Sequence, residues 1–141
     1  VRVAGKVPLM THSLHGLLLF AHGARDPAWA GPFEQLLELC RSQRAQQPTE
    51  LAFLEFMQPD LVTAGRTLAH AGCAKVDILP LFLGAGGHVR KDVPALISRL
   101  REDSPGVVWT LRPAIGAAPT VIAAMAEVAL NARNLPEVPL P

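Results

Sequence analysis

Two histidines that lie far apart in the sequence, His22 and His88, are the side chains best suited to do chemistry in this chain. His22 ends a short apolar run, and His88 follows another apolar run after a stretch rich in glycine. Imidazole is a common ligand for Fe, Co, Ni and Zn, and its ordinary pKa of about 6.5 lets it accept a proton near neutral pH. The pair predicts a site that binds a divalent metal ion and takes up protons.

A carboxylate, three arginines and a pair of glycines are the further candidates for this site. Glu55 lies at the end of another apolar run, where it could orient an imidazole, complete a metal shell or accept a proton, and the sequence leaves these roles open. Three cations would suit an anionic ligand as a group: Arg25, Arg90 and Arg112. Gly86 and Gly87 would let a flat ligand approach the backbone, and their N–H groups could bind carboxylates.

Four apolar runs alternate with segments of helical period, which is typical of a parallel sheet covered by helices on both faces. The predicted strands are residues 16–22, 51–56, 76–82 and 107–111. The predicted crossover helices carry apolar residues at helical spacing, namely Phe33, Leu36, Leu37 and Cys40, then Leu61, Ala64 and Leu68, then Val93, Leu96, Ile97 and Leu100. A fourth helix is predicted over about 119–131. The expected fold class is α/β, with a four-stranded parallel sheet flanked by helices.

The order of the strands decides whether the candidate side chains meet. Open α/β sheets bind ligands at the carboxyl ends of their strands, near the point where the strand order reverses. His22 and Glu55 end the first two strands, His88 lies in the predicted loop after the third, and Arg112 closes the fourth. In a flavodoxin-like order the first and third strands are neighbours, so the loops that carry His22 and His88 would flank one crevice.

Several other polar residues have structural interpretations. Asp92 precedes a Val-Pro pair and is predicted to cap the third crossover helix. His70 is interpreted as a residue at a helix end, where the helix dipole favours it. His12 and His15 are interpreted as surface residues near the terminus.

The length of 141 residues fits one domain. We expect residues 1–14 to be disordered or vector-derived, since Met10 is a candidate natural start, residues 15–131 to form the domain, and residues 132–141 to be a proline-rich tail. A second lobe would then have to come from another chain, which favours a homodimer.

The composition argues against several classes of partner. A formal net charge of +1 and the absence of tyrosine give little basis for binding nucleic acid. The apolar run 17–21 is too short to span a bilayer, so no membrane partner is expected. Cys40 and Cys73 each lie in a helical pattern and form no CxxC pair, which favours a reducing, cytoplasmic location.

Three motifs together give the chain a family resemblance: His22-Gly23-Ala24-Arg25-Asp26-Pro27, Phe53-Leu54-Glu55 followed by Pro59, and Gly87-His88 followed by Asp92 and Pro94. Over residues 15–131 the chain resembles the small, single-copy sirohydrochlorin chelatases, whose members insert cobalt, iron or sometimes nickel. The resemblance implies a chelatase-type half-lobe, two copies of which build a lobed homodimer. It also implies that His22 and His88 bind the metal and accept protons, with Glu55 at the family's acidic position.

One position departs from this family pattern. The family's usual hydroxyl residue after His-Gly is Ala24 here, so any hydrogen bond made by that hydroxyl is absent. The positioning of substrate or metal can differ in detail for this reason.

The resemblance leads to a mechanistic hypothesis for cobalamin or siroheme biosynthesis. A divalent ion (Co²⁺ or Fe²⁺, with Ni²⁺ as a further candidate) binds His22 and His88 and passes to the pyrrole nitrogens of sirohydrochlorin, while imidazole or Glu55 accepts the displaced protons. The ion is a substrate, and no permanent cofactor is expected. Candidates for an apolar pocket floor, which core or dimer packing would explain equally well, are Trp29, Phe56, Met57, Leu81 and Leu83.

Two other functions compete with this hypothesis. A non-catalytic tetrapyrrole or metal carrier would use the same ligands without turnover. A histidine phosphatase would also use a His-Gly after the first strand, but that chemistry needs an arginine beside the histidine, and the preceding residue is Ala21.

Overall fold

The computed structural model describes residues 14–84 and 86–141, and of residue 88 it describes the backbone. The predictions for residues 1–13, including His12, lie outside the described residues. The strands are β1 (Leu14–Ala21), β2 (Thr49–Phe53), β3 (Cys73–Pro80) and β4 (Val108–Leu111). The helices are α1 (Gly31–Gln43), α2 (Leu61–His70), α3 (Gly87–Asp103) and α4 (Pro119–Leu130), with short 3-10 turns at Pro27–Ala30, Ile115–Ala117 and Ala132–Asn134.

The four strands form one parallel sheet in the order β2-β1-β3-β4. The predicted α/β class and the flavodoxin-like strand order are confirmed. Because β1 lies between β2 and β3, the strand order reverses on either side of β1. The carboxyl ends of β1 and β3 are therefore adjacent at the switch point.

The sheet is buried on both faces because successive side chains of β1 point to opposite sides. Leu18 and Phe20 pack with α2 and α3, whereas Leu19 and Ala21 pack with α1. The helices contribute their apolar stripes, for example Leu61 and Leu68 from α2 and Leu36 and Leu37 from α1. A continuous apolar run such as that of β1 is what a strand covered on both sides requires.

The helix α2 begins with a capping interaction. Asp60 accepts a hydrogen bond from the Thr63 N–H at 2.8 Å, which satisfies one of the N–H groups left open at a helix start. This hydrogen bond, with the charges of Arg66 and Arg99, lowers the pKa of the Asp60 carboxyl below its ordinary value.

One residue assignment made from the sequence is wrong at the start of the third strand. Cys73 is not helical: it begins β3 and is buried, which raises the pKa of its thiol. His15 is exposed, as expected of a surface residue. It lies in β1, and its Nε2 is 2.7 Å from Asp77 Oδ2.

The start of the third crossover helix was also predicted wrongly. α3 begins at Gly87, with Gly86 at the N-cap, so Asp92 lies inside the helix and does not cap it. Residue 88 belongs to the first turn of α3, and not to a loop as predicted. The helix starts six residues earlier because Val89 continues the apolar stripe of Val93 and Ile97 back toward the sheet.

The last helix of the chain, α4, differs from the other three. None of its residues is buried, and its only charged residue is Glu127. The 3-10 turn Ala132–Asn134 follows, and residues 135–141 have no regular structure. Within 14–84 and 86–141, no helix has the length and apolar character needed to cross a bilayer.

Candidate functional site

The loops after β1 and β2 are joined at the carboxyl edge of the sheet. Phe53 is the last residue of β2, three residues before the predicted end, yet the pairing with β1 continues beyond it. The Leu54 N–H donates to the Ala21 carbonyl at 2.9 Å, and the Glu55 N–H donates to the His22 carbonyl at 3.1 Å. The backbones of His22 and Glu55, two predicted site residues, are thereby held side by side.

Gly23 makes this close approach possible. Its φ is +93°, a conformation that side-chain-bearing residues rarely adopt. A Cβ atom at Gly23 would also overlap the carbonyl oxygen of Glu55. The glycine after His22 is therefore required by two independent constraints, both of which fix the backbone beside the predicted ligand.

The imidazole of His22 lies against Phe82, which follows β3. The two ring centroids are 5.4 Å apart with an interplanar angle of 52°. Phe82 is itself buried and packs on Phe20 at 5.9 Å. The ring of His22 thus packs on a residue of the core. The contact lies at the carboxyl ends of β1 and β3, which are neighbouring strands.

The backbone of residue 88 is at the same end of the sheet, since α3 begins seven residues after the end of β3. Gly86 and Gly87 form the N-cap and first residue of this helix. A Cβ atom added at either glycine would meet nothing within 4 Å. The space beside this helix start is open, and a helix N-terminus is suited to bind a carboxylate.

The three predicted arginines occupy two places. Arg90 and Arg112 line a groove of about 260 Å³, one wall of which is Phe82. The guanidinium of Arg25 lies over the ring of Phe56, 4.9 Å from the ring centroid. The structure therefore brings Arg90 and Arg112 together and puts Arg25 with an aromatic ring on the loop after β2.

Arg112 also has a structural partner. Its Nε donates to Asp77 Oδ1 at 2.8 Å, and the second oxygen of the same carboxylate is bonded to His15. Arg112 thus lines the groove and also forms a half-exposed ion pair with a residue of β3, which was not expected from the sequence.

The candidates for an apolar floor separate into core and surface residues. Leu81 is buried, and Trp29 and Met57 pack against the core cluster on the α1 side. Phe56 and Leu83 are exposed. Core packing therefore accounts for Leu81 and in part for Trp29 and Met57, whereas Phe56 and Leu83 present the most apolar surface to a ligand.

Two residues of the site were missed by sequence reasoning. Phe82 was treated as the last residue of a strand, although it forms the surface that supports His22. Gly23 was noted only as part of a motif, although its conformation determines the approach of the two loops. The His-Gly pair directly after a buried strand was the available signal for Gly23, since a glycine there indicates a sharp turn.

The described side chains form no preformed metal site, since no three His, Cys, Asp or Glu residues among them lie close enough together to hold a metal ion.

Comparison with solved structures supports the architecture. The chain superimposes on a cobalamin (vitamin B12) biosynthesis CbiX protein from Marinobacter aquaeolei VT8 with a TM-score of 0.75 and 34% identity, over 85% of this chain and 98% of that one. It also matches the sirohydrochlorin chelatase SirB from Bacillus subtilis subspecies spizizenii in complex with cobalt, with a TM-score of 0.73 and 23% identity. That match covers 84% of this chain but 50% of SirB, so this chain corresponds to half of the longer protein.

Curated relatives agree with the structural matches. A sirohydrochlorin cobaltochelatase of Sulfurisphaera tokodaii is 30% identical over 88 residues, which are 62% of this chain and 72% of that protein. Another of the same name from Methanosarcina acetivorans is 29% identical over 99 residues, 70% of this chain and 75% of that protein. The CbiX family model matches residues 16–132. The resemblance inferred from the three motifs is confirmed, and the chain belongs to the CbiX family.

Proposed function

We propose that this protein is a chelatase that inserts a divalent metal ion into sirohydrochlorin, with Co²⁺ as the first candidate. The support is the CbiX family match over residues 16–132 and the cobaltochelatase name of several relatives. Fe²⁺ and Ni²⁺ are the alternatives, since imidazole and carboxylate ligands suit all three ions. The metal preference would decide whether the product enters cobalamin or siroheme biosynthesis.

The single observation that carries the site proposal is the hydrogen-bonded contact between the loop after β1, which contains His22, and the loop after β2, which contains Glu55. A glycine with φ +93° and a hydrogen bond from the Glu55 N–H hold His22 beside an acidic residue, at the switch point where an open α/β sheet binds its ligand. A hydrophobic core does not need this arrangement, because His22 is only partly buried and Glu55 is exposed. We assign His22 and His88 as the metal ligands on this basis and on the family motifs.

Insertion replaces two pyrrole protons by one divalent ion. In the proposed sequence the ion exchanges water for the imidazoles of His22 and His88, and then passes to the four ring nitrogens. The two protons released from the pyrroles need acceptors near the ring. Glu55, whose backbone is bonded to that of His22, is the proposed acceptor, assisted by imidazole after the metal has left it.

The macrocycle carries carboxylates around its rim, and cations are needed to hold them. Arg90 and Arg112 line one groove beside Phe82, and Phe82 contacts His22. We assign the guanidinium of Arg90, beside this groove, to a rim carboxylate, because a guanidinium binds a carboxylate in two-point geometry. Arg112 is the second candidate, with its Nε already donating to Asp77. The N–H groups at Gly86 and Gly87 are proposed to receive a second carboxylate at the start of α3.

We further propose that two copies of the chain form a homodimer through α4. Its apolar residues, including Ile122, Met125 and Val128, are exposed along a helix whose single charge is Glu127. A solvated helix normally carries a polar face. The match covers 50% of SirB, and we propose a second copy of this chain as the partner for this surface.

Light scattering on the purified chain tests the dimer. We expect a mass twice that of the 15.1 kDa chain, and Met125→Glu should convert it to a monomer because a buried charge without a partner is strongly unfavourable. Glu127→Gln is the matched control on the same helix and should leave the dimer intact. A monomeric wild type would refute this part of the proposal.

Anaerobic insertion kinetics test the activity. Sirohydrochlorin is mixed with Co²⁺, Fe²⁺ or Ni²⁺, and metal insertion is followed by the absorbance change of the macrocycle. Several product molecules per protein chain are expected, with the highest kcat/KM for Co²⁺. Binding of the macrocycle without turnover would favour the carrier instead. No binding of macrocycle and no insertion above the uncatalysed rate would refute the proposed function.

A further inference from the structure

Phe56 lies at the centre of an unfavourable backbone turn. The Met57 N–H donates to the Glu55 carbonyl at 2.8 Å across Phe56, whose φ is +65°. This combination matches the γ-turn with positive φ, which is rare and strained. Among the described residues, Phe56 is the only one other than glycine with a positive φ.

The phenyl ring gains little from its own protein at this position. Phe56 is 58% exposed, whereas its neighbours Leu54 and Met57 pack against the two core clusters. One exposed apolar side chain is ordinary, but here it occurs at a backbone position where glycine would be easier. Neither packing nor local conformation explains phenylalanine, which points to a contact outside the chain.

Arg25 covers part of this ring. Its guanidinium carbon is 4.9 Å from the ring centroid, within the range of a cation–π contact. The two residues come from different loops, and these loops are joined by the hydrogen bond from Glu55 N–H to the His22 carbonyl. The Arg25–Phe56 pair, as we call it, is therefore anchored to the backbone of the proposed metal ligand.

The pair offers two kinds of contact to one ligand. An exposed phenyl ring can stack on, or meet edge-to-face, another flat conjugated ring. A guanidinium next to it can bind a carboxylate on the periphery of the same molecule. We propose that the Arg25–Phe56 pair is a docking platform that holds the conjugated macrocycle and one rim carboxylate before metal insertion. This inference rests on the proposed function and adds a binding determinant to that site.

Phe56→Gly is the most informative variant, because it removes the ring and relieves the positive φ at once. The dissociation constant of metal-free sirohydrochlorin is measured by absorbance titration, and the melting temperature is measured in parallel. We expect binding to weaken about tenfold, as for loss of one stacking contact, while Tm stays the same or rises. In steady-state insertion, KM should rise by a similar factor with kcat changed less than about twofold.

Three further variants complete the design. Phe56→Trp restores a larger ring and should bind sirohydrochlorin at least as well as the wild type, although it keeps the strained φ. Arg25→Gln removes the charge and should weaken binding about fivefold. Leu39→Ala is the matched control, because Leu39 on α1 is 55% exposed and lies outside the proposed site. It should change neither Kd nor kcat.

The outcomes separate this inference from the proposed function. If Phe56→Gly binds sirohydrochlorin as the wild type does, the platform is wrong, while insertion by the wild type keeps the chelatase assignment. If Phe56→Gly lowers Tm by several degrees and weakens binding, the ring stabilises its own chain and the platform is again wrong. A wild type that neither binds nor metallates sirohydrochlorin overturns both proposals.

Discussion

A histidine lies near each end of β1, and the two histidines have different surroundings. Near the amino end, His15 is bonded to Asp77, whose other oxygen accepts from Arg112. Just past the carboxyl end, His22 lies against the ring of Phe82, next to a glycine that no other residue can replace without strain. The first histidine belongs to a hydrogen-bond network with Asp77 and Arg112, and the second lies at an edge where two loops approach each other closely.

The wider surroundings of the two histidines show the same difference. At the start of β2, Arg41 donates two hydrogen bonds to the Thr49 carbonyl and one to Glu50, so charges there are matched within the chain. Glycines with positive φ occur at both edges, at Gly23 and at Gly72, but the one described residue other than glycine with a positive φ, Phe56, lies at the carboxyl edge. Strain at that residue and paired charges at the other edge are expected when one edge stabilises the fold and the other binds a ligand.

Replacing each histidine by alanine should give the largest contrast. His22→Ala should lower the rate of metal insertion at least about a hundredfold, because the proposed metal ligand and proton acceptor is lost, while the free energy of unfolding falls by about 1 kcal/mol or less. His15→Ala should leave the rate unchanged and lower stability by up to about 1 kcal/mol, because the pair with Asp77 is half exposed. Insertion kinetics and urea denaturation of both variants measure the two effects.

The opposite pattern would contradict the functional difference between the two ends. If His22→Ala inserts metal at a near-normal rate and His15→Ala loses most of its rate, the active site lies at the amino end of β1 and not at its carboxyl end. A loss of several kcal/mol of stability in His22→Ala would make that histidine a structural residue.

Gly23→Ala tests the backbone at the carboxyl edge. The added Cβ would overlap the Glu55 carbonyl at a φ of +93°, so we expect a loss of about 2 kcal/mol in stability. Gly31→Ala is the control, because nothing lies within 4 Å of a Cβ there and its φ is −48° in a helix. That variant should stabilise the protein by about 0.5 kcal/mol. Equal thermal stability of the two variants would mean that the two loops adjust freely.

A smaller difference in kcat is expected between variants of two acidic residues, Glu50 on β2 and Glu55 in the loop after it. Glu55→Gln removes the proposed proton acceptor and should reduce kcat about tenfold, with KM for the metal altered little if Glu55 is not itself a ligand. Glu50→Gln removes a carboxylate that pairs with Arg41 at 3.2 Å and should leave kcat unchanged. If Glu55→Gln raises KM for Co²⁺ instead, Glu55 binds the metal and is not the acceptor.

The sequence predicted the fold more completely than it predicted the site. Apolar runs and helical spacing were enough for the four strands, because burial on both faces leaves a continuous apolar signal in β1. The strand order was expected from the flavodoxin-like arrangement of such sheets and not from the runs themselves. The start of α3 was misplaced, because Asp92 and Pro94 resemble a cap and a first turn while Val89 extends the stripe backward. Periodicity gives the existence of a helix more reliably than its ends.

The details of the site depend on contacts that sequence spacing does not contain. The φ of Phe56 follows from how the loop after β2 meets the loop after β1, which involves residues more than thirty positions apart. The pairing of Arg112 with Asp77 likewise depends on the register between β3 and β4. Residue types at strand ends indicated the proposed ligand-binding edge, and tertiary packing determines which of those residues also stabilise the fold.

The smallest expected effect concerns Asp60, an acidic residue near the carboxyl end of β2 to which we assign a role in stability and none in catalysis. Its pKa is lowered, chiefly by the hydrogen bond from the Thr63 N–H. A depressed carboxyl pKa contributes stability above the unfolded value of about 3.9, and this contribution is lost as pH falls through the folded pKa. Asp60→Asn keeps a capping side chain without titrating, so its stability should fall less than that of the wild type between about pH 5 and pH 3, by less than about 1 kcal/mol. Denaturation curves across this range measure the difference, and identical slopes would show that the Asp60 cap does not depend on its charge.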